Sequence, residues 1–448
     1  MKNLGITLIL LTGMVAWTPA VAQQPLSLKT ALQYAIAHHV EVQKAHLEID
    51  KGKQLVREAI STGLPQAGFN AQMVNNLKLR STPVPAEFFG GPPGTFQNLQ
   101  FGTNWNASAG LSLEQMAFSK TWLMGLKATY AVTDFYKLML EKTKEDVVYE
   151  VAKLYFQIQL TRTQRGLLEA NLRQIEGLLN ATEKQYQNGF ARKIDVDRLT
   201  VQQFNLQTEL TNLDLMIKQS EQALKFSMQM PLETEIILTD TITETSFEAV
   251  NLSMVQPGYL QKTELKILKK QEELYGLDEQ RWKAGYFPSA SLFAGYNYEW
   301  QANNLSDFGR GQFWSDFAQI GLQVYVPVFD GFYKDSKIQT ARLNARQAMQ
   351  SYEYARLGLQ LKHETAVTTL RANQNKLKAL EENRRVAEEV YRVSETRYRE
   401  GLAPITELLD AESSLRQAES NYVSILAQLK LAEIDLLHAN GKLIKMAE

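Results

Sequence analysis

The sequence predicts a mainly α-helical protein with a β-barrel part, built as two copies of a strand–strand–long helical hairpin unit. Three observations lead to this fold class. Long proline-free segments carry heptad patterns, four shorter segments alternate between apolar and polar residues, and the second half repeats the first at a shift of about 212 residues. The predicted repeats cover residues 23–230 and 258–448, and an equatorial linker joins them at 231–257.

Each repeat contains a predicted antiparallel helical hairpin, at about 119–230 in the first copy and about 331–443 in the second. In the second copy, apolar residues recur every seven positions, and the first copy keeps the same phase. The apolar series of the second copy is Leu408, Leu415, Tyr422, Leu429, Leu436 and Leu443. From about 120 to 185 there is no proline, which allows a single helix of roughly 100 Å.

The turn of each hairpin is marked by a glycine motif, YQNGFARKIDV in the first copy and YREGLAPITELLDA in the second. Gly189 and Gly401 stand where a left-handed helix C-cap is expected, and Pro404 cannot continue the helix it follows. After the second turn, Glu407 and Asp410 lie three residues apart on one helix face. Acidic residues there can simply favour the helix dipole. In a three-fold assembly they would instead form a ring of six carboxylates that favours cations over anions.

Four segments predict barrel strands, at about 66–80, 101–115, 289–300 and 317–328. Their side chains alternate between apolar residues and mostly small polar ones, so each strand has two different faces. Four strands are too few to close a barrel, and an open sheet edge in lipid leaves backbone groups unpaired. Three copies would supply twelve strands, which predicts a trimeric 12-stranded outer-membrane β-barrel. The predicted membrane-interface aromatics, which lie near the strand ends, are Trp105, Tyr298 and Trp300.

The N-terminal residues and the composition narrow the class of protein further. Residues 1–22 have the charge, apolar stretch and small-residue cleavage site of a signal peptide. A net charge of −1 gives no reason to expect nucleic acid as a partner, and the absence of cysteine excludes disulfides and thiolate metal sites. The sequence contains no catalytic constellation, and the histidines of the N-terminal segment 38–46 lack a metal-ligand spacing. We therefore predict no enzymatic activity, no cofactor and no metal.

With its two hairpin-turn motifs and its doubled strand–strand–hairpin order, the sequence resembles the TolC family of outer-membrane efflux channels over essentially the whole mature chain. The resemblance implies a trimer whose 12-stranded barrel continues into a 12-helix periplasmic α-barrel. It also implies that Glu407 and Asp410 constrict the periplasmic entrance, and that Asp195 and Tyr398 make the contacts that close the tips. A basic residue that helps closure in some members falls at Ala403, so this chain departs from the family there.

The predicted function is therefore a passive exit duct in the outer membrane of a Gram-negative bacterium, with the helical barrel in the periplasm. The expected partners are two further copies of the chain, a periplasmic adaptor protein, an inner-membrane efflux transporter and outer-membrane lipid. One alternative is a type I protein secretion tunnel, which has the same channel physics and a different pump. Another is a periplasmic coiled-coil structural or adaptor protein, which explains the hairpins but not the four amphipathic strands.

Overall fold

The computed structural model of the chain describes residues 24–240 and 258–447, so the predicted signal peptide and most of the predicted linker lie outside the described residues. The helices are α1 (Leu28–His38), α2 (Val40–Ser61), α3 (Lys120–Gln187), α4 (Lys193–Met228), α5 (Thr263–Ala284), α6 (Tyr333–Arg399) and α7 (Ile405–Ala439). The strands are β1 (Gln24–Leu26), β2 (Gln66–Asn75), β3 (Ser81–Pro85), β4 (Phe96–Gln100), β5 (Trp105–Ser119), β6 (Ile236–Leu238), β7 (Ser289–Ala302) and β8 (Trp314–Tyr325). In the part of the chain that the structure describes, no helix combines the length and hydropathy needed to cross a membrane.

The element order contains the predicted internal repeat. Strands β2 and β5 precede α3 and α4, and strands β7 and β8 precede α6 and α7. The long helices α3 and α6 have 68 and 67 residues, and the shorter helices α4 and α7 have 36 and 35. The two copies therefore agree in length as well as in order, which confirms the predicted strand–strand–long hairpin fold.

The chain divides into two compact units. The first consists of Met1–Gln43, Thr143–Lys262 and Gly358–Glu448, and the second of Lys44–Lys142 and Thr263–Leu357. Both hairpin turns belong to the first unit, and the four long strands belong to the second.

The second unit contains an antiparallel four-stranded sheet in the order β2-β5-β7-β8. One face is apolar: a cross-strand row joins Phe69, Leu111, Tyr296 and Ala318. The other face is polar and rich in glycine, and its members include Gly68, Asn70, Ser112, Gly110, Gly295, Asn297, Gln319 and Gly321. Because strand side chains alternate, this separation follows directly from the sequence pattern. Among the described residues, β2 and β8 are each paired along one side only.

The ends of the strands differ from the predicted ends, each for a local reason. Strand β5 begins at Trp105 instead of residue 101, because Gly102 has a φ of 108° that interrupts the extended backbone. Strand β2 ends at Asn75, opposite Trp105, because its partner β5 begins there; beyond this pair the Asn76 side chain donates to the Thr103 carbonyl at 2.9 Å. Strand β8 covers 314–325 and stops before Pro327, which has no N–H to donate.

The Pro- and Gly-rich segment between β2 and β5 contains a β-hairpin. Strands β3 and β4 pair antiparallel from Ser81 with Gln100 to Pro85 with Phe96. Proline has no backbone N–H to donate to a neighbouring strand. It is tolerated in a two-stranded hairpin because both strands are edge strands, each with one side that has no neighbour.

In the first unit, the hairpin of α3 and α4 is held by a heptad core and by ion pairs. Leu199 and Leu206 of α4 are fully buried against Leu168 and Ile175 of α3. Along the same helix pair, Arg162 donates to Glu221 at 2.6 Å. These contacts agree with the antiparallel hairpin that the heptads predict.

The N-terminal strand of the first unit is secured by one aspartate. Strand β1 pairs in parallel with β6, in a register from Gln24 with Ile236 to Leu26 with Leu238. Just beyond β6, the Asp240 carboxylate accepts from the Leu28 backbone at 2.7 Å and from the Tyr155 hydroxyl at 2.9 Å. Asp240 therefore ties the start of α1 to α3.

Candidate functional site

The two hairpin turns, at residues 188–192 and 400–404, have the same geometry. Gly189 and Gly401 have φ values of 80° and 74°, in the left-handed region that favours glycine. The Phe190 N–H donates to the Gln185 carbonyl at 2.8 Å, and the Leu402 N–H donates to the Arg397 carbonyl at 2.8 Å. These bonds, which close a six-residue turn, are the signature of a Schellman C-cap.

Pro404 stands at the N-cap of α7, with φ −74° and ψ 156°. Proline readily adopts this extended conformation. It suits the start of α7, whereas the same ring would interrupt α6 if that helix continued to residue 404. The Glu407 N–H then donates to the Pro404 carbonyl at 3.1 Å. Both predicted carboxylates, Glu407 and Asp410, therefore lie in the first two turns of α7.

The two carboxylates have different surroundings within one chain. The Arg397 guanidinium, at the end of α6, donates to Glu407 across the turn and forms an ion pair with it. Asp410 is exposed, and the structure records no ion pair for it in the described residues. Glu407 is thus partly neutralised, whereas Asp410 presents its charge to solvent.

The predicted closing residue Asp195 is almost buried, with 8% of its surface exposed. Arg192, in the preceding turn, donates to its two carboxylate oxygens from Nε and Nη2, each at 3.0 Å. This bidentate pair raises the pKa of the Arg192 guanidinium above its usual value. Within the chain, Asp195 therefore already has a cationic partner.

The other predicted closing residue, Tyr398, also has a partner inside the chain. Its hydroxyl lies 3.1 Å from the hydroxyl of Thr182, which is fully buried on α3. The Tyr398 ring packs against the core of the tip, which includes Ile405 and Leu408. The role of Asp195 and Tyr398 in closing an assembled channel stays a prediction.

The structure adds a buried carboxylate that the sequence analysis did not single out. Glu412 of α7 is 4% exposed; it accepts from Gln202 at 3.2 Å and lies 3.5 Å from Arg416. Burial raises the pKa of Glu412, and the Arg416 charge opposes this shift. A Glu four residues before an Arg is the usual pattern of an exposed helix pair, so this spacing does not indicate burial.

The aromatic residues at the loop end of the sheet are only partly on its surface. Tyr298 is exposed and stacks on Trp314 with ring centroids 4.9 Å apart, and Trp105 is half-buried. Trp300, however, is fully buried, because Phe308 of the loop 303–313 packs edge-on against its ring at 5.0 Å. The Trp300 ring is therefore covered within its own chain, and the membrane-interface role of Trp105, Tyr298 and Trp300 stays a prediction.

The part of the chain that the structure describes contains no group of three or more His, Cys, Asp or Glu side chains placed to hold a metal ion.

The chain is similar to known proteins across most of its length. Residues 31–228 and 279–442 match the family model of the outer membrane efflux protein. Outer membrane protein TolC of Vibrio cholerae is 22% identical over 349 residues, which are 75% of this chain and 77% of that protein.

Solved structures share the fold at low sequence identity. The outer membrane protein VceC of Vibrio cholerae has a TM-score of 0.71 at 17% identity and covers 92% of this chain and 96% of its own. CusC has a TM-score of 0.75 at 17% identity, with 92% and 91% covered. The outer membrane channel CmeC of Campylobacter jejuni has a TM-score of 0.70 at 13% identity, with 98% and 94% covered.

The family model matches well over half of the chain, and the doubled strand–strand–hairpin fold agrees with it. The protein therefore belongs to the outer membrane efflux protein family and is an outer-membrane efflux channel.

Proposed function

We propose that three copies of this chain form a passive exit duct, with a shared 12-stranded β-barrel in the outer membrane and a 12-helix α-barrel in the periplasm. The observation that carries the proposal is the sheet β2-β5-β7-β8, which has one apolar face and two unpaired edges among the described residues. Exposed side chains on that apolar face include Phe69, Leu111, Ile320 and Leu322.

The open edges require other copies of the chain. Each unpaired N–H or C=O in a hydrocarbon layer costs several kcal/mol. In lipid, the outer edges of strands β2 and β8 must therefore pair with other strands. Pairing β2 of one copy with β8 of the next satisfies both edges at once. Three copies give an even-numbered barrel of a common size.

We propose that the duct catalyses no reaction and receives small molecules from an inner-membrane efflux transporter through a periplasmic adaptor. The hairpin turns offer an apolar surface for such an adaptor, since Phe190 and Leu402 are 86% and 66% exposed. Each hairpin turn therefore presents one large apolar side chain that an adaptor can contact.

We propose that the ring of acids at the entrance selects for cations, and that Asp410 contributes more to it than Glu407. Three exposed Asp410 carboxylates around a narrow opening would attract cations and repel anions. Arg397 offsets part of the Glu407 charge within the same chain, so its contribution is smaller. The different surroundings of the two carboxylates support this order.

Single-channel conductance in planar bilayers tests the proposal. We expect the wild-type channel to conduct weakly and to prefer cations. Asp410→Asn should remove most of that preference, and Glu407→Gln should remove less. Asp197→Asn, which neutralises an exposed acid at the other hairpin turn, is the matched control.

Two outcomes would count against the ring. One is an unchanged ion preference in the variant with both Glu407→Gln and Asp410→Asn. The other is a loss in Asp197→Asn as large as that in Asp410→Asn. A protein that forms no conducting channel under any of these conditions would contradict the exit duct itself.

A further inference from the structure

Lysine side chains rest on aromatic rings where the strands of the sheet join the helices. Lys120, the first residue of α3, places its Nζ 3.3 Å from the ring centroid of Phe287, just before β7. Lys337 of α6 places its Nζ 5.5 Å from the Tyr333 ring and 5.9 Å from the Trp282 ring. We call these five residues the lysine–aromatic collar.

The two collar lysines keep their charge available. Their neighbour Lys334 is neutralised by Asp330, with Nζ 2.7 Å from a carboxylate oxygen. For Lys120 and Lys337, the described part of the chain provides ring faces and no ion pair with a carboxylate. A ring face orients an ammonium group without neutralising it, so an anion can still bind from the other side.

The surface around the collar is apolar and exposed. Val328, Phe329 and Phe332, which lie between β8 and α6, are 93%, 77% and 70% exposed. The two phenylalanine rings pack edge-on at 5.6 Å, and Phe332 has a positive φ of 65°. Such a surface is unfavourable in water and favourable against acyl chains.

The other end of the sheet is built differently. Its aromatic residues pack on one another, and the indole N–H groups of Trp300 and Trp314 donate to the carbonyls of Asp307 and Phe308 at 3.3 and 2.9 Å. The structure records no lysine or arginine over these rings in the described residues. Among the described residues, the lysine-over-ring contacts of the sheet therefore lie at its helical end, next to exposed apolar residues.

From this combination we infer that the lysine–aromatic collar binds the phosphodiester headgroups of anionic phospholipids in the periplasmic leaflet of the outer membrane. The inference rests on the proposed insertion of the sheet into that membrane. Apolar residues 328–332 would lie at the level of the acyl chains, while Lys120 and Lys337 reach the phosphate layer. A lysine near an anionic lipid surface is worth about fivefold in affinity.

Native mass spectrometry of the delipidated full-length protein in detergent tests this inference. Added phosphatidylglycerol should remain bound to the wild-type protein more than phosphatidylcholine does, and soluble glycerol phosphate should not compete. The variant with Lys120→Gln and Lys337→Gln should bind phosphatidylglycerol about 25-fold more weakly, at about fivefold for each lysine. Its bilayer conductance should stay normal, which shows that the channel has still assembled.

Matched variants separate lipid recognition from charge and folding. Lys127→Gln with Lys266→Gln removes two exposed lysines outside the collar and should bind as the wild type does. Lys120→Arg with Lys337→Arg should retain phosphatidylglycerol, because the cations are kept. The inference is overturned if both double glutamine variants lose the same affinity, if phosphatidylcholine binds equally well, or if glycerol phosphate displaces the lipid.

Discussion

His438 on α7 is a partly buried base that the fold keeps neutral. Its ring stacks on Tyr149 with centroids 4.2 Å apart. Burial, together with the charge of Lys262, lowers the pKa of His438 to about 4. Lys262 itself donates to the His438 carbonyl at 2.6 Å and forms an ion pair with Glu145 at 3.7 Å.

We expect stability to fall as the pH drops from about 6.5 to about 4. In that window the unfolded chain binds a proton at His438 and the folded chain does not, so acid favours unfolding. His438→Gln should flatten this part of the curve of melting temperature against pH, measured by circular dichroism. His46→Gln, at an exposed position, is the control and should leave the slope unchanged.

Glu412 gives the opposite dependence on pH. Burial raises the pKa of Glu412. Between the unfolded and the folded pKa, the folded chain therefore keeps a proton on Glu412 that the unfolded chain has lost. The stability that the bound proton contributes is lost as the pH rises through the folded pKa. Glu412→Gln should therefore raise the melting temperature at pH 7 while keeping the bond from Gln202. A lower melting temperature would mean that the pairing with Arg416 outweighs the cost of burial.

At the scale of elements, the hairpin turns depend on glycine for backbone conformation and not for space. A Cβ at Gly401 would contact nothing within 4 Å, but its φ of 74° is strained for other residues. Gly401→Ala should destabilise the tip by about 1–2 kcal/mol, measured by urea unfolding with hydrogen exchange across 397–405. Gly177→Ala, inside α3 and equally open, should instead stabilise by about 0.5–1 kcal/mol.

The long elements could be predicted from the sequence because each repeats one simple pattern many times. The heptads predict the paired long helices, and strict alternation predicts β2, β5, β7 and β8. Short elements carry too few residues for a pattern: β1 has three, and β3 and β4 have five each. Their formation depends on a distant pairing partner, which periodicity cannot reveal.

The candidate site could be predicted less completely than the fold. The glycines and Pro404 are visible in the sequence because backbone geometry limits which residues fit a turn. Ion pairs such as Glu407 with Arg397 are not visible, since ten residues and a reversal of the chain separate the partners. The burial of Glu412 likewise depends on packing between helices, including its contact with Gln202 of α4, and no single helix pattern carries that information.

For the whole molecule, the proposed trimer makes a prediction about strand pairing. The chain has no cysteine, so introduced cysteines report contacts without background. With Ala71→Cys on β2, one of the same-face β8 variants Asp316→Cys, Ala318→Cys or Ile320→Cys should give disulfide-linked oligomers on a non-reducing gel. Cysteines at the opposite-face positions 317 and 319 should give none, because their side chains point to the other face.

Monomers alone, at every position along β8, would contradict a barrel closed by pairing β2 with β8 of a neighbouring copy. Linked products at positions of both faces would indicate a loose edge instead of a fixed register.

The glycines of the polar sheet face also bear on the width of the duct. If that face lines the passage, the backbone itself limits the width of the passage at Gly68 and Gly295. A Cβ added at Gly68 would lie 3.3 Å from Ser112, and one added at Gly295 would lie 3.6 Å from Asn297. At Gly110 and Gly321, by contrast, the Asn297 amide and the Phe293 ring already fill the space above the backbone. Bulkier residues would therefore narrow the aperture most readily at Gly295, where the added Cβ has ordinary contact distances, whereas at Gly68 the Ser112 hydroxyl would first have to move.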